Sequence, residues 1–191
     1  MEGEDLNDHF TLENDNLLKS KDKESAVYDL MNEYSKQVYL IAYSYVKDQG
    51  LAEDIAQEVF LKCYKHLHKY RGDASIKSWI YRITINTSKD FIMKRSFNVF
   101  KYSKELFDSL RQSKSVEQIM LEKEESADVL QKVLSLPAKY REVMILYYFQ
   151  DLKIEEIKDV IKLKANTVKT RLSRGRALLK EKLSDRGECD G

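Results

Sequence analysis

Apolar residues return every three or four positions along most of the chain. Between Glu24 and Asp48, the residues Val27, Leu30, Met31, Tyr34, Val38, Ile41, Ala42 and Tyr45 keep this spacing, which predicts a long amphipathic helix. Asp48, Gln49 and Gly50 read as its stop. A second helix covers 51–67. Ala52, Ile55, Ala56, Val59, Phe60, Cys63 and Leu67 line its inner face, while Asp54, Gln57, Glu58, Lys62 and Lys65 fall on the other side. The run YRGDAS, 70–75, joins a Gly to short polar residues and reads as a loop. A third helix spans 76–96, with Trp79, Ile80, Ile83, Thr87 and Phe91 on one side and Arg82, Asn86, Lys89 and Lys94 facing elsewhere.

The pattern then weakens. Residues 97–122 are rich in Ser, Lys and Gln with scattered apolar positions, which suits a linker holding at most one short helix. Periodicity resumes in a helix over 123–137 that ends near Pro137. Another follows over 138–152, with Val143, Ile145, Leu146, Tyr148 and Phe149 as core. A short third helix, 153–161, turns Ile154, Ile157, Val160 and Ile161 inward. After the tight connection KLKA, a last helix starts near Asn166 or Thr167, with Asn166 as its N-cap. A short helix, a tight turn and a longer polar-faced helix form the helix-turn-helix plan.

Composition agrees with this reading. The 191 residues include one Pro and six Gly, so few breakers interrupt a chain rich in helix formers. The expected fold is all-α: two small helical domains joined by a flexible linker, the second containing the helix-turn-helix. The divisions are a mobile acidic leader (1–23), a first domain (24–96), the linker (97–122), a second domain (123–184) and a tail (185–191). No window approaches eighteen uninterrupted apolar residues, and the start has no apolar signal core, so insertion into a membrane is not expected. Cys63 and Cys189 form no spaced framework, which suits a reducing cytoplasm. Cys63 and His66 share a helical face, but His68 turns away and no fourth ligand is near, so no metal site is expected. No nucleophile–base set, phosphate-cradling Gly loop or paired catalytic carboxylates stands out. The chain therefore reads as a non-enzyme without a cofactor.

Charge adds the decisive detail. The formal net charge is only +1, yet between Lys162 and Lys182 Lys162, Lys164, Lys169, Arg171, Arg174, Arg176, Lys180 and Lys182 face the single acid Glu181. At 3.6 residues per turn, Val168, Leu172, Gly175 and Leu179 form a buried stripe, and Gly175 lets a neighbouring helix come close. The opposite face carries Thr170, Ser173, Arg174 and Ala177. Lys169, Arg176 and Lys180 flank it on one side and Arg171 on the other. Short side chains let such a helix enter a major groove, Arg can donate twice to a guanine edge, and flanking cations neutralise phosphates.

Two blocks carry a family resemblance. The first is AEDIAQEVFLKCYKHLHKYRGDASIKSWIYRITINTSKDFI, and the second is LPAKYREVMILYYFQDLKIEEI followed by NTVKTRLSRGRALLKEKL. They resemble the second and fourth conserved regions of bacterial sigma factors, in the right order and over roughly two-thirds of the chain. Only about thirty residues separate them, which resembles the small extracytoplasmic-function (ECF) type. The resemblance implies that Asp54, Gln57, Glu58 and Phe60 dock on core RNA polymerase. It implies that the loop 70–78 holds an unpaired promoter base, with Tyr70, Arg71, Asp73, Ser75 and Trp79 in or beside it and Tyr81 near enough to stack. It assigns Arg82, Asn86 and Lys89 to the −10 element, Lys169, Thr170, Ser173 and Arg174 to −35 contacts, and Arg171 and Arg176 to phosphates. It also implies an anti-sigma partner, often membrane-anchored, and a role in stress response.

Three positions depart from that family pattern. Lys153 stands where a Ser or Thr cap is usual, Lys158 where a small residue lets two helices cross, and Lys162 where the turn favours Gly or Asn. The competing expectation is a stand-alone helix-turn-helix regulator, dimeric on a palindromic site. The outward Asp54, Gln57 and Glu58 argue against it.

Overall fold

In a computed structural model, the described residues are 22–99 and 124–184, with side chains over 22–94 and 127–184. Most of the expected leader, most of the linker and the tail lie outside these ranges, while Asp22 and Lys23, expected in the leader, belong to the first helix. Among the described residues every regular element is helical.

Helix α1, Lys23–Val46, opens at Asp22, whose carboxylate accepts from the backbone N–H of Glu24 and Ser25 at 3.0 Å. It ends at Lys47, which adopts left-handed backbone with φ 53°. Asp48 is then not a stop. Its side chain caps the next helix by accepting from Leu51 N–H at 2.9 Å, so α2 runs Gln49–His66, two residues earlier than its spacing predicts. A short 3-10 turn, Leu67–Lys69, and a loop lead to α3, Ile76–Val99. Helices α1, α2 and α3 pack against one another around Leu30, Val38, Ile41, Ile55, Val59, Cys63, Ile76 and Ile80.

The buried side of α3 is broader than the sequence suggests. Tyr81, Thr84, Ile85 and Ser88 are buried alongside Ile76, Ile80 and Thr87. The hydroxyls of Thr84, Thr87 and Ser88 donate to the carbonyls of Ile80, Ile83 and Thr84 at 2.8–2.9 Å, which permits their burial. The breadth has a cause: α3 is covered on one side by α1 and α2 and on another by the second unit.

That unit comprises α4, Glu124–Leu134; α5, Ala138–Met144, running on into a π-helical turn, Ile145–Phe149; α6, Ile154–Ile161; and α7, Ala165–Ser184. Buried Arg141 donates to the carbonyls of Leu134 and Leu136 at 3.0 Å, closing the end of α4 around Pro137. The π turn sets back the helical phase, because its wider turn rotates the chain less per residue. Tyr148, expected in the core, is 46% exposed, while Met144, Ile145 and Leu146 are buried. Helix α7 begins before its expected cap: the N–H groups of Thr167 and Val168 donate to Lys164 carbonyl, so Asn166 lies within the first turn.

The three unusual lysines are accommodated differently. The Lys153 side chain has no acceptor to offer, but its backbone N–H donates to Glu156 Oε2 at 2.8 Å, which retains half of a capping box. Lys158 turns outward to Glu155 at 2.6 Å. Lys162 adopts the left-handed conformation, φ 55°, that its position demands.

The two helical units touch directly. Helix α3 packs on α6, and α1 packs on α5 and the π turn. Buried Tyr81 donates its hydroxyl to Gln150 Oε1 at 2.9 Å across this contact, and the apolar core is continuous through it.

Candidate nucleic-acid interface

Three surfaces gather the expected functional residues. The first is the outer side of α2. Asp54 and Gln57 are exposed, and Glu58 is half-buried with Lys62 Nζ 3.9 Å away. Phe60 lies elsewhere: it is 6% exposed and packs in the core, as its place in the inner stripe requires. It supports this helix from behind and offers no surface to a partner. Two residues missed in the sequence continue the outer side, Leu61 (53% exposed) and Tyr64 (38% exposed). Their signal was position: four and seven residues beyond Gln57, they return to its side of the helix.

The second surface is a pocket of about 330 Å³ lined by Lys69, Tyr70, Arg71, Asp73, Ala74, Trp79 and Arg82. Gly72, with φ 82°, lets the loop turn sharply. The Tyr70 hydroxyl donates to Ala74 carbonyl at 2.8 Å, closing the loop on itself, and the Tyr70 and Trp79 rings lie 5.5 Å apart. Trp79 thus reaches the pocket while also packing on the core. Ser75 has a structural task. Its Oγ accepts from Ser78 N–H at 3.2 Å and its carbonyl from Trp79 N–H, which starts α3. Tyr81 is corrected outright: at 1% exposure, and bonded to Gln150, it has no face for a base. Arg82 Nε is buried without a hydrogen-bond partner among the described residues, beside a polar pocket. An unpaired buried donor is costly. Exposed Asn86 and half-buried Lys89 follow Arg82 along one side of α3.

The third surface is α7. Val168 and Leu172 are buried, with Gly175 between α7 and α5; a Cβ there would stand 3.0 Å from Met144 Cγ and 3.6 Å from Tyr140 Cβ. Lys169, Thr170, Ser173, Arg174 and Arg176 are exposed on the other side. The close crossing brings Lys139 and Tyr140 beside them, in a cleft of about 390 Å³ shared with Asn166, Thr167, Thr170, Arg171 and Arg174. Desolvation, the largest single influence, raises the Tyr140 hydroxyl, but the hydrogen bonds and positive charges of Arg174 and Lys139 together lower the group below its ordinary value. Nothing in the α5 sequence marks these two residues, because only packing brings them to α7. Arg171 differs from its neighbours: it is half-buried, with Nη1 3.6 Å from Glu142 Oε2.

The described residues hold no cluster of His, Cys, Asp and Glu able to bind a metal, and no helix long and apolar enough to cross a membrane. A further groove of about 610 Å³ is lined mainly by apolar side chains, Val129, Val133, Met144, Phe149, Leu179 and Leu183 among them, with Arg176 and Lys180 also on its wall.

Known proteins share this arrangement. Residues 30–97 match sigma-70 region 2 and residues 126–179 match sigma-70 region 4. The chain is 30% identical to the ECF RNA polymerase sigma factor SigW of Bacillus subtilis, over 86% of this chain and 92% of that one. It is also 30% identical to the ECF RNA polymerase sigma-E factor of Escherichia coli, over 81% and 84%. Its fold resembles that of the sigma factor RpoE solved with the anti-sigma factor NepR from Bartonella quintana (TM-score 0.70, 21% identity, 82% and 96% covered). It also resembles CnrH solved with the cytosolic domain of CnrY (TM-score 0.61, 19% identity, 90% and 96% covered). With both conserved regions in order and relatives matched along nearly their whole length, this chain belongs to the sigma-70 family, among the ECF sigma factors.

Proposed function

We propose the following division of labour for this sigma factor, which binds core RNA polymerase and directs promoter-specific initiation. Asp54, Gln57 and Glu58 form the polymerase-docking surface, with Leu61 and Tyr64 as its apolar continuation and Phe60 bracing it from behind. The pocket formed by Tyr70, Arg71, Asp73 and Trp79 receives an unpaired base of the opened −10 element, and Arg82 supplies a donor. Ser75 holds the loop. Asn86 and Lys89 extend the contact along α3. On α7, Arg174, Thr170 and Ser173 read base edges of the −35 element, while Lys169, Arg171 and Arg176 hold phosphates. Lys139 and Tyr140 widen that surface. The chain acts in the cytoplasm and catalyses no reaction itself; the polymerase makes the RNA. An anti-sigma protein is its expected inhibitor, and the apolar groove of the second unit is a surface on which such a partner can seat.

The observation that carries this reading is the unpaired Arg82 Nε beside a base-sized polar pocket, in the same chain as an exposed helix-turn-helix face. Gel filtration of the chain with bacterial core RNA polymerase tests it. Stoichiometric co-elution, lost in the double variant Asp54→Arg/Glu58→Arg, is the expected result. Separate elution of the unaltered chain would overturn it.

A further inference from the structure

Glu142, on α5, collects donors from both helical units. Its carboxylate is 12% exposed. It accepts a hydrogen bond from the Tyr45 hydroxyl of α1. Lys89 Nζ of α3 donates to the same Oε1 at 2.8 Å, and Arg171 of α7 approaches Oε2 at 3.6 Å. Lys89 Nζ also lies 5.7 Å from the centre of the Tyr45 ring. Burial first, and the Glu142 charge second, raise the Tyr45 hydroxyl far above its ordinary value, so it remains a donor. A carboxylate met by two cations and a phenol is the environment a phosphate oxygen would seek.

Two of these donors, Lys89 and Arg171, are among the residues assigned above to promoter DNA. They come from the two different reading helices, yet they touch opposite oxygens of one carboxylate. Elements at −10 and −35 lie about 25 base pairs, or roughly 85 Å, apart along a duplex. DNA is stiff over that length, with a persistence length of about 150 base pairs. The closed arrangement therefore does not allow both elements to be read at once. Ser173, Arg174 and Asn86 stay exposed, so either element alone is still open to contact.

We propose that Glu142 is an intramolecular stand-in for DNA phosphate, which latches the two units together and occupies Lys89 and Arg171 until the units separate. The latch holds down the affinity of the free chain for DNA and withholds the gain that two linked contacts bring. This rests on the assignment of Lys89 and Arg171 to DNA.

The test compares the full chain with Glu142→Gln, with Glu24→Gln as a control that removes an exposed carboxylate in the first turn of α1, at the other end of that helix from Tyr45. Two quantities are measured: the small-angle X-ray scattering profile without DNA, and the salt dependence of binding to a 30-base-pair duplex of arbitrary sequence. Glu142→Gln is expected to enlarge the radius of gyration. It should also steepen the slope of log K against log salt by about 1 to 2, since each freed cation adds about 0.9 when it meets a phosphate. The control should change neither. Either change without the other overturns the proposal, as does no change in a variant whose helical circular dichroism matches the parent. Tyr81→Phe, which loosens the same contact without altering charge, should enlarge the radius as well; an unchanged radius in both variants refutes the latch. Co-elution with core polymerase is followed in parallel. Its loss in the parent chain would count against the division of labour and leave the scattering result intact.

Discussion

At the residue scale, Lys162 shares left-handed backbone with Lys47 and Asp151 among the described residues. Side chains with a Cβ are strained in left-handed backbone, by about 1–2 kcal/mol. Lys162→Gly is therefore expected to stabilise the chain by about 1 kcal/mol, read as a higher urea midpoint with unchanged slope. Gly175 shows the opposite constraint. Its missing Cβ is what lets α5 approach α7, with Met144 Cγ only 3.0 Å from where that atom would stand. A β-branched side chain there forces the helices apart, so Gly175→Val should cost about 1–3 kcal/mol and misplace Tyr140 relative to Arg174. Arg174→Ala, by contrast, leaves packing alone. It should remove roughly 1–3 kcal/mol of discrimination at one base pair, read by competition between promoter duplexes, while polymerase binding persists. Cys63 is fully buried, and burial pushes its thiol from 9.0 up to about 12. Its raised value in the fold means the neutral thiol is favoured there. The stability linked to this group is intact below about pH 9 and falls as pH rises from about 9 toward 12. Native chain at pH 8 should accordingly leave Cys63 unalkylated, as mass spectrometry of its peptide would reveal.

At the element scale, periodicity is a good guide wherever one helix face is covered by one neighbour. The inner stripes of α2 and α7 match it, with Val59, Phe60 and Cys63 buried in one and Val168, Leu172 and Gly175 in the other. It misleads in two places. Helix α3 is covered from two directions, so Tyr81 and Ile85 are buried outside the expected stripe. Helix α5 passes into a π turn, so Tyr148 leaves the core. Helix ends depend on local hydrogen bonds that spacing does not report. Asp48 starts α2 instead of ending α1, and α7 starts at Lys164 carbonyl instead of Asn166. Arg141 is an example with energetic weight. A basic residue in a surface-helix pattern turns out to be 8% exposed, holding two carbonyls at the α4–α5 corner. Arg141→Met should leave those acceptors unpaired and cost about 1–3 kcal/mol in thermal or urea unfolding, without direct effect on the α7 contact face.

At the scale of the whole molecule, the sequence by itself determined the class, the two helical units, the outward carboxylates of α2 and the cationic face of α7. Each follows from local repetition, because 3.6-residue geometry alone places Asp54 opposite Ala52 and Thr170 opposite Leu172. Only the tertiary structure decided how the units meet. It sends Tyr81 to Gln150 rather than to a base. It brings Lys139 and Tyr140 to the α7 surface, and it gathers Tyr45, Lys89 and Arg171 onto Glu142. These partners are tens of residues apart in the chain. Their association depends on the relative placement of whole helices, which periodicity within any one helix does not encode.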